Sequence, residues 1–142
     1  MTRAEISGLI AQFQETWSRR DIDALVRFHA EDGVVETPFG GGVTRGREAI
    51  GKVYESFFHA FPDARIVYDE PLIDGERVVL IARISGTDRG GFLGMHPTGR
   101  FVDFPCVLLY QLEGGLIAHE RRIYDFTGLA VQVGAIKAKP AV

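Results

Sequence analysis

The sequence predicts an α+β domain: three helices from the N-terminal half packed on a strongly curved, mostly antiparallel sheet with an internal pocket. Three observations carry this. Apolar residues recur at helical spacings as far as residue 61, then give way to runs bounded by turn residues. The connectors Asp74-Gly75 and Glu113-Gly114-Gly115 are short and glycine-bearing, as antiparallel hairpins require. No crossover helices separate the later runs, which excludes a doubly wound parallel sheet. A chain of 142 residues encloses one core, and no repeat, linker or low-complexity tract divides it, so residues 1–142 are read as a single domain.

Ile6, Ile10, Phe13 and Trp17 share one face of a helix over roughly residues 3 to 18. Asp21 is placed to cap a short second helix through Ile22, Leu25, Val26 and His29, which Glu31-Asp32-Gly33 ends. Residues 34–37 read as a first strand, closed by Pro38 and followed by the glycine loop 40–42. A third helix begins near Arg47, with Ile50, Val53, Tyr54, Phe57 and Phe61 as its apolar stripe, and Pro62-Asp63 terminates it. Strands follow at 64–73, 77–87, 100–112 and 116–126. Bulky apolar residues on both parities of 101–112 imply that both sheet faces are partly covered, and wrapping the sheet on the helical stripes leaves a pocket in its concavity.

With 46% hydrophobic and 25% charged residues, the chain is too apolar for a disordered one. A net charge of -3 without a basic stripe argues against nucleic acid as a partner. No apolar run approaches the ~20 residues of a membrane span, and the N-terminus lacks a signal-peptide pattern, so a cytoplasmic protein off the membrane is expected. Cys106 is the only cysteine and reads as a small buried hydrophobe. His29, His59, His96 and His119 share no short metal-ligand spacing, so no metal site is expected. The glycine runs at 40–42 and 90–91 match neither nucleotide-binding fingerprint and read as turns, and no Gly-x-Ser-x-Gly elbow is present. No cofactor is implied, and acid–base chemistry through Asp, Glu, His or Tyr is what remains.

Two segments narrow the choice: Gly94-Met95-His96-Pro97-Thr98-Gly99-Arg100, and the stretch from Leu116 that ends in Tyr124-Asp125-Phe126. Together with Trp17 to Asp21, His29-Ala30-Glu31-Asp32 to Pro38, Phe61-Pro62-Asp63, Gly91 to Met95 and Gly134, they make the chain resemble the SnoaL-like polyketide cyclases. These are a branch of the ketosteroid isomerase and nuclear transport factor 2-like superfamily. The resemblance implies a cone-shaped domain of three helices on a curved mixed sheet, a small apolar organic ligand, and a homodimer through the sheet face. It further implies cofactor-independent acid/base chemistry, an aldol-type cyclisation or isomerisation of a polycyclic or polyketide-like substrate, with Asp125 as general acid/base. A carboxylate partly removed from water has a raised pKa and exchanges a proton with an enolisable carbon. Asp125 has a second role open to it, capping a C-terminal helix that begins at Thr127.

The chain also departs from its relatives. Where ketosteroid isomerases carry their base it has Thr37, their helix-1 tyrosine is matched by Phe13, their oxyanion-stabilising Asp falls near Val107 or Leu108, and the His of some cyclases falls at Leu108. Oxyanion donors would then be Thr37, His96, Arg121 or an ordered water. Period-two geometry sets Arg121, Ile123 and Asp125 on one face of the last strand and Glu120, Arg122 and Tyr124 on the other, which lets Arg121 share the cavity with Asp125. Plainer readings stand beside these: Arg121 as a solvated charge, His96 as a surface loop residue, Thr37 as a β-branched strand residue. Trp17, Tyr54, Phe57, Phe58 and Phe104 belong to the pocket lining or to the core. Two further functions stay open, a ligand-binding module without catalysis and a limonene epoxide hydrolase-like enzyme, for which only Asp103 supplies a second carboxylate.

Overall fold

The computed structural model describes residues 1–38, 42–137 and 139. In chain order the elements are α1 (Arg3–Ser18), α2 (Ile22–Arg27), β1 (His29–Glu36), β2 (Val43–Arg45), α3 (Arg47–Ala60), β3 (Arg65–Tyr68), β4 (Leu72–Asp74), β5 (Arg77–Thr87), β6 (Phe101–Glu113), β7 (Leu116–Tyr124) and α4 (Phe126–Gln132). Three helices, α1, α2 and α3, precede most of a mixed, mostly antiparallel curved sheet, the class the sequence predicts. Among the described residues no helix is long and apolar enough to cross a membrane.

α1 begins where Thr2 and Glu5 cap each other: the Glu5 N–H donates to Thr2 Oγ1 at 3.2 Å and the Thr2 N–H to Glu5 Oε2 at 2.6 Å. Its buried Ile6, Ile10, Phe13 and Trp17 form the stripe that their spacing predicts. Asp21 caps α2 through the Ala24 N–H at 3.0 Å. The helix stops at Arg27, however, and His29 opens β1. Glu31-Asp32-Gly33, which reads as a helix stop, lies inside that strand as a bulge: His29 pairs with Ile117 and Val34 with His119, so five steps of β1 span two of β7. Gly33 is confined there, because a Cβ would meet the Ala30 carbonyl oxygen at 3.0 Å and that of Ile117 at 3.2 Å.

The sheet order is β2-β1-β7-β6-β5-β3, with β4 also on β5; β1 and β7 are parallel and the other pairs antiparallel. The single strand expected over 64–73 is two, β3 and β4, both on β5, because Pro71 has no N–H to give the ladder. Both expected hairpins form. Of the glycine loop at 40–42, Gly40 and Gly41 lie outside the described residues; at Gly42, whose φ is +76°, the carbonyl accepts from the Thr37 N–H at 2.7 Å.

Alternate residues of β6, from Val102 through Phe104, Cys106, Leu108 and Tyr110 to Leu112, are buried and face the buried side chains of α1 and α3. The opposite face keeps Ile81 and Ile123 about half exposed, at 43% and 48%. Burial of the inner set is the main stabilising contribution, at roughly 25 cal/mol per Å² of apolar surface removed from water.

Candidate active site

β6 and β7 pair so that Tyr110 stands opposite Glu120, Leu108 opposite Arg122 and Cys106 opposite Tyr124. Strand alternation turns all six inward, and they line a cavity of about 340 Å³ whose wall is mostly apolar. α1 contributes Phe13 and Trp17, α3 contributes Tyr54 and Phe57, and β3 adds Tyr68. Thr37 and Val43 also line the cavity, with Phe92 and Leu93 from the loop after β5. That loop is anchored by buried Asp88, which accepts from the Gly91 N–H at 3.1 Å, the Thr98 N–H at 3.0 Å and the Thr98 hydroxyl at 2.9 Å. Thr98 in the Gly-Met-His-Pro-Thr-Gly-Arg segment is thus a structural tether.

The charged centre is Glu120 with Arg122. Glu120 is 2% exposed and accepts from Arg122 Nε at 2.7 Å, while Arg122 Nη2 is 3.4 Å from Oε2, so Oε2 keeps accepting capacity. Burial is the largest influence on Arg122 and works against its charge, but Glu120, Tyr54 and Tyr110 together outweigh it and hold the guanidinium pKa above its usual value. The same guanidinium lies over the Tyr54 ring, 5.2 Å from its centroid.

Behind Tyr54 sits His29, fully buried, with Nε2 2.9 Å from Tyr54 Oη and 3.7 Å from Glu120 Oε2. Burial lowers its pKa to about 4 against the opposing pull of Glu120, so the imidazole is neutral at pH 7. Burial likewise raises the hydroxyls of Tyr54, Tyr68 and Tyr110, and that of Tyr124 to about 12, which keeps all four protonated. The Cys106 thiol, pushed up to about 11 by burial, is not a thiolate. The buried hydroxyls of Tyr68 and Tyr110 have no hydrogen-bond partner among the described residues. This arrangement can take a proton at Glu120 and offer hydroxyl and guanidinium donors to an oxygen that gains charge. Among the described residues no three His, Cys, Asp or Glu side chains group closely enough to hold a metal.

Of the residues singled out from sequence, Phe13, Trp17, Thr37, Tyr54, Phe57, Phe104 and Leu108 line the cavity. Phe58 does not; it packs 5.0 Å from Trp17, ring to ring, with the Arg20 guanidinium 5.9 Å from its centroid. Three placements are corrected. Asp125 is exposed outside the cavity, where its Oδ1 accepts from the Gly128 N–H at 2.9 Å as the cap of α4. Arg121 is exposed on the outer face, 3.9 Å from Glu36 Oε2. His96 is exposed on its loop. Asp103 also faces outward, paired with Arg83 at 2.7 Å.

What sequence reasoning missed is the other parity of β7, together with His29, Tyr68 and Tyr110. The available signal was Glu120-x-Arg122, opposite charges two residues apart on one strand face, which can be buried as a neutral pair.

A curved mixed sheet with helices over an inward cavity is the nuclear transport factor 2-like, ketosteroid isomerase-like fold, which solved structures share. AclR of Streptomyces galilaeus, assigned as a hydroxylase, superposes with a TM-score of 0.83 at 22% identity over 98% of this chain and 87% of its own. A protein of Jannaschia sp. CCS1 assigned as a SnoaL-like polyketide cyclase gives 0.79 at 25% over 93% and 92%. TsrD of Streptomyces laurentii gives 0.83 at 24% over 96% and 99%. The chain belongs to the SnoaL-like polyketide cyclase family, whose sequence model matches residues 8–133.

Proposed function

We propose that this protein is an enzyme that moves a proton on an apolar, polycyclic or polyketide-like substrate without a cofactor, and that Glu120 carries the proton. The observation that supports this is the Glu120–Arg122 pair, buried yet open to a mostly apolar cavity. In the aldol form of the reaction, Glu120 Oε2 takes a proton from a carbon next to a carbonyl. The C–H electron pair passes to the carbonyl oxygen as an enolate. Arg122, whose counter-charge is then neutralised, faces that oxygen in a low-dielectric site. The enolate carbon bonds to a second carbonyl carbon of the same molecule, and Glu120 returns the proton to the new alkoxide.

The test needs only an enolisable bicyclic ketone. Incubated with 2-tetralone in deuterium oxide, the protein is expected to speed exchange at the carbon next to the carbonyl, and Glu120→Gln to lose about 100-fold of that rate. Binding is followed by quenching of Trp17, the only tryptophan and part of the cavity wall. Since Glu120→Gln alone leaves the Arg122 charge buried, the double variant with Arg122→Met keeps the test readable if the single one fails to fold. Quenching without any protein-dependent exchange, across 2-tetralone and larger polycyclic ketones, would replace the enzyme with a binding module.

The homodimer is also proposed. Ile81, Val107 and Ile123 pair across β5, β6 and β7 as one apolar row on the outer face, suited to a second copy. Light scattering of Ile123→Glu is expected to read a monomer where the parent reads a dimer.

A further inference from the structure

We infer that His29 is a positioning residue: its Nε2–H donates to Tyr54 Oη, which leaves the Tyr54 hydroxyl hydrogen free for an oxygen atom of the substrate. This rests on the acid/base reading above and assigns Tyr54 as the donor to the developing oxyanion.

The geometry gives His29 no direct access to a ligand. Its side chain is wholly buried, whereas Tyr54, 2.9 Å from Nε2, lines the cavity. His29 can therefore act on bound substrate only through Tyr54. Of the two neutral tautomers, the one with its proton on Nδ1 strands a buried N–H, because Nδ1 has no partner among the described residues. The tautomer with its proton on Nε2 leaves only a bare lone pair at Nδ1. It also directs the proton at Tyr54 Oη and toward the Glu120 carboxylate, 3.7 Å from the same nitrogen.

The charged and titratable groups around the pair fit this assignment. From α3, Arg47 donates to the His29 carbonyl at 2.8 Å. From β7, Arg122 lies over the Tyr54 ring, 5.2 Å from its centroid. Tyr68 of β3 and Tyr110 of β6 complete the surroundings. With its oxygen accepting from His29, the Tyr54 hydroxyl has its own hydrogen left to donate.

Two measurements test this. In protein labelled with nitrogen-15, long-range proton–nitrogen correlations should show His29 as the Nε2–H tautomer from about pH 5.5 to 8, without ligand. A Nδ1–H or imidazolium pattern in that range overturns the inference. In 2-tetralone exchange, His29→Leu is expected to lower kcat about tenfold with KM within about twofold, and His29→Gln, whose amide can donate near the Nε2 position, to stay within about threefold of wild type. Tyr54→Phe should lose at least as much as His29→Leu, and adding His29→Leu to it should cost nothing further. A second tenfold loss on the Tyr54→Phe background would make His29 merely structural and end the proposal. Failure of the acid/base reading is distinguishable, since Glu120→Gln would then exchange at the parent rate while the tautomer spectrum still reported on His29.

Discussion

The two faces of β7 carry similar side chains under opposite conditions. On the inner face Glu120 and Arg122 hold each other at 2.7 Å with Glu120 almost wholly buried. On the outer face Arg121 stands exposed, 3.9 Å from Glu36, whose nearer partner is His119 at 2.9 Å. Water and salt screen the outer charges, so their pairing is worth little. The inner pair has lost its water, and each charge depends on the other. Chemistry that needs a proton carrier shielded from water can therefore use only the inner set.

The strongest way to break this comparison is to remove one inner charge. Arg122→Met should destabilise the fold by about 3–5 kcal/mol in urea denaturation, because Glu120 is left buried and unpaired. Adding Glu120→Gln should recover most of that loss. If it does not, packing around the pair, rather than its charge, sets the cost.

Protonation probes the same face through pH. His29 takes up a proton near 6.5 when unfolded but only at about 4 when folded. Between those values the unfolded state binds more protons, so stability rises with pH through the window. The contribution is complete above 6.5, is lost as pH falls toward 4, and is on the order of 3 kcal/mol. Denaturation midpoints at several pH values should show this slope, and His29→Gln should flatten it. A parent curve already flat from pH 4 to 6.5 would contradict the buried, neutral imidazole.

Smaller effects are expected outside. Asp125→Ala loses the cap of α4 and about 1 kcal/mol, with 2-tetralone exchange unchanged; a drop in exchange beyond about tenfold would bring Asp125 back into the chemistry. Arg121→Ala should move stability by no more than about 0.5 kcal/mol. A larger shift would mean that the outer face is covered in solution.

The helices and long strands were legible because their signals are local. The spacing of Ile6, Ile10, Phe13 and Trp17 needs nothing beyond α1, and β5 is bounded by its own turn residues. The start of β1 was not legible, since His29 satisfies both the helical period before it and the strand after it, and pairing with distant Ile117 decides. In the site, Phe13, Trp17, Tyr54 and Phe57 could be found because an apolar stripe that faces the sheet also faces its concavity. Asp125 and Arg121 were misplaced because alternation separates the two faces of a strand without saying which is inside. Each face of β7 pairs charge with a large side chain, Ile123 on one and Tyr124 on the other.

The sequence alone determined the long helices and strands, the hairpins and the division of β7 into two sets of side chains, all of which follow from residues a few positions apart. Only the tertiary structure decided which set enters the cavity. Its register lays Glu120 and Arg122 against Tyr110 and Leu108 and brings His29 and Tyr54 from β1 and α3 to the same point. The physical reason is that a buried charge is stable only where partners from elsewhere in the chain replace its water, and those partners exist only once the fold has formed.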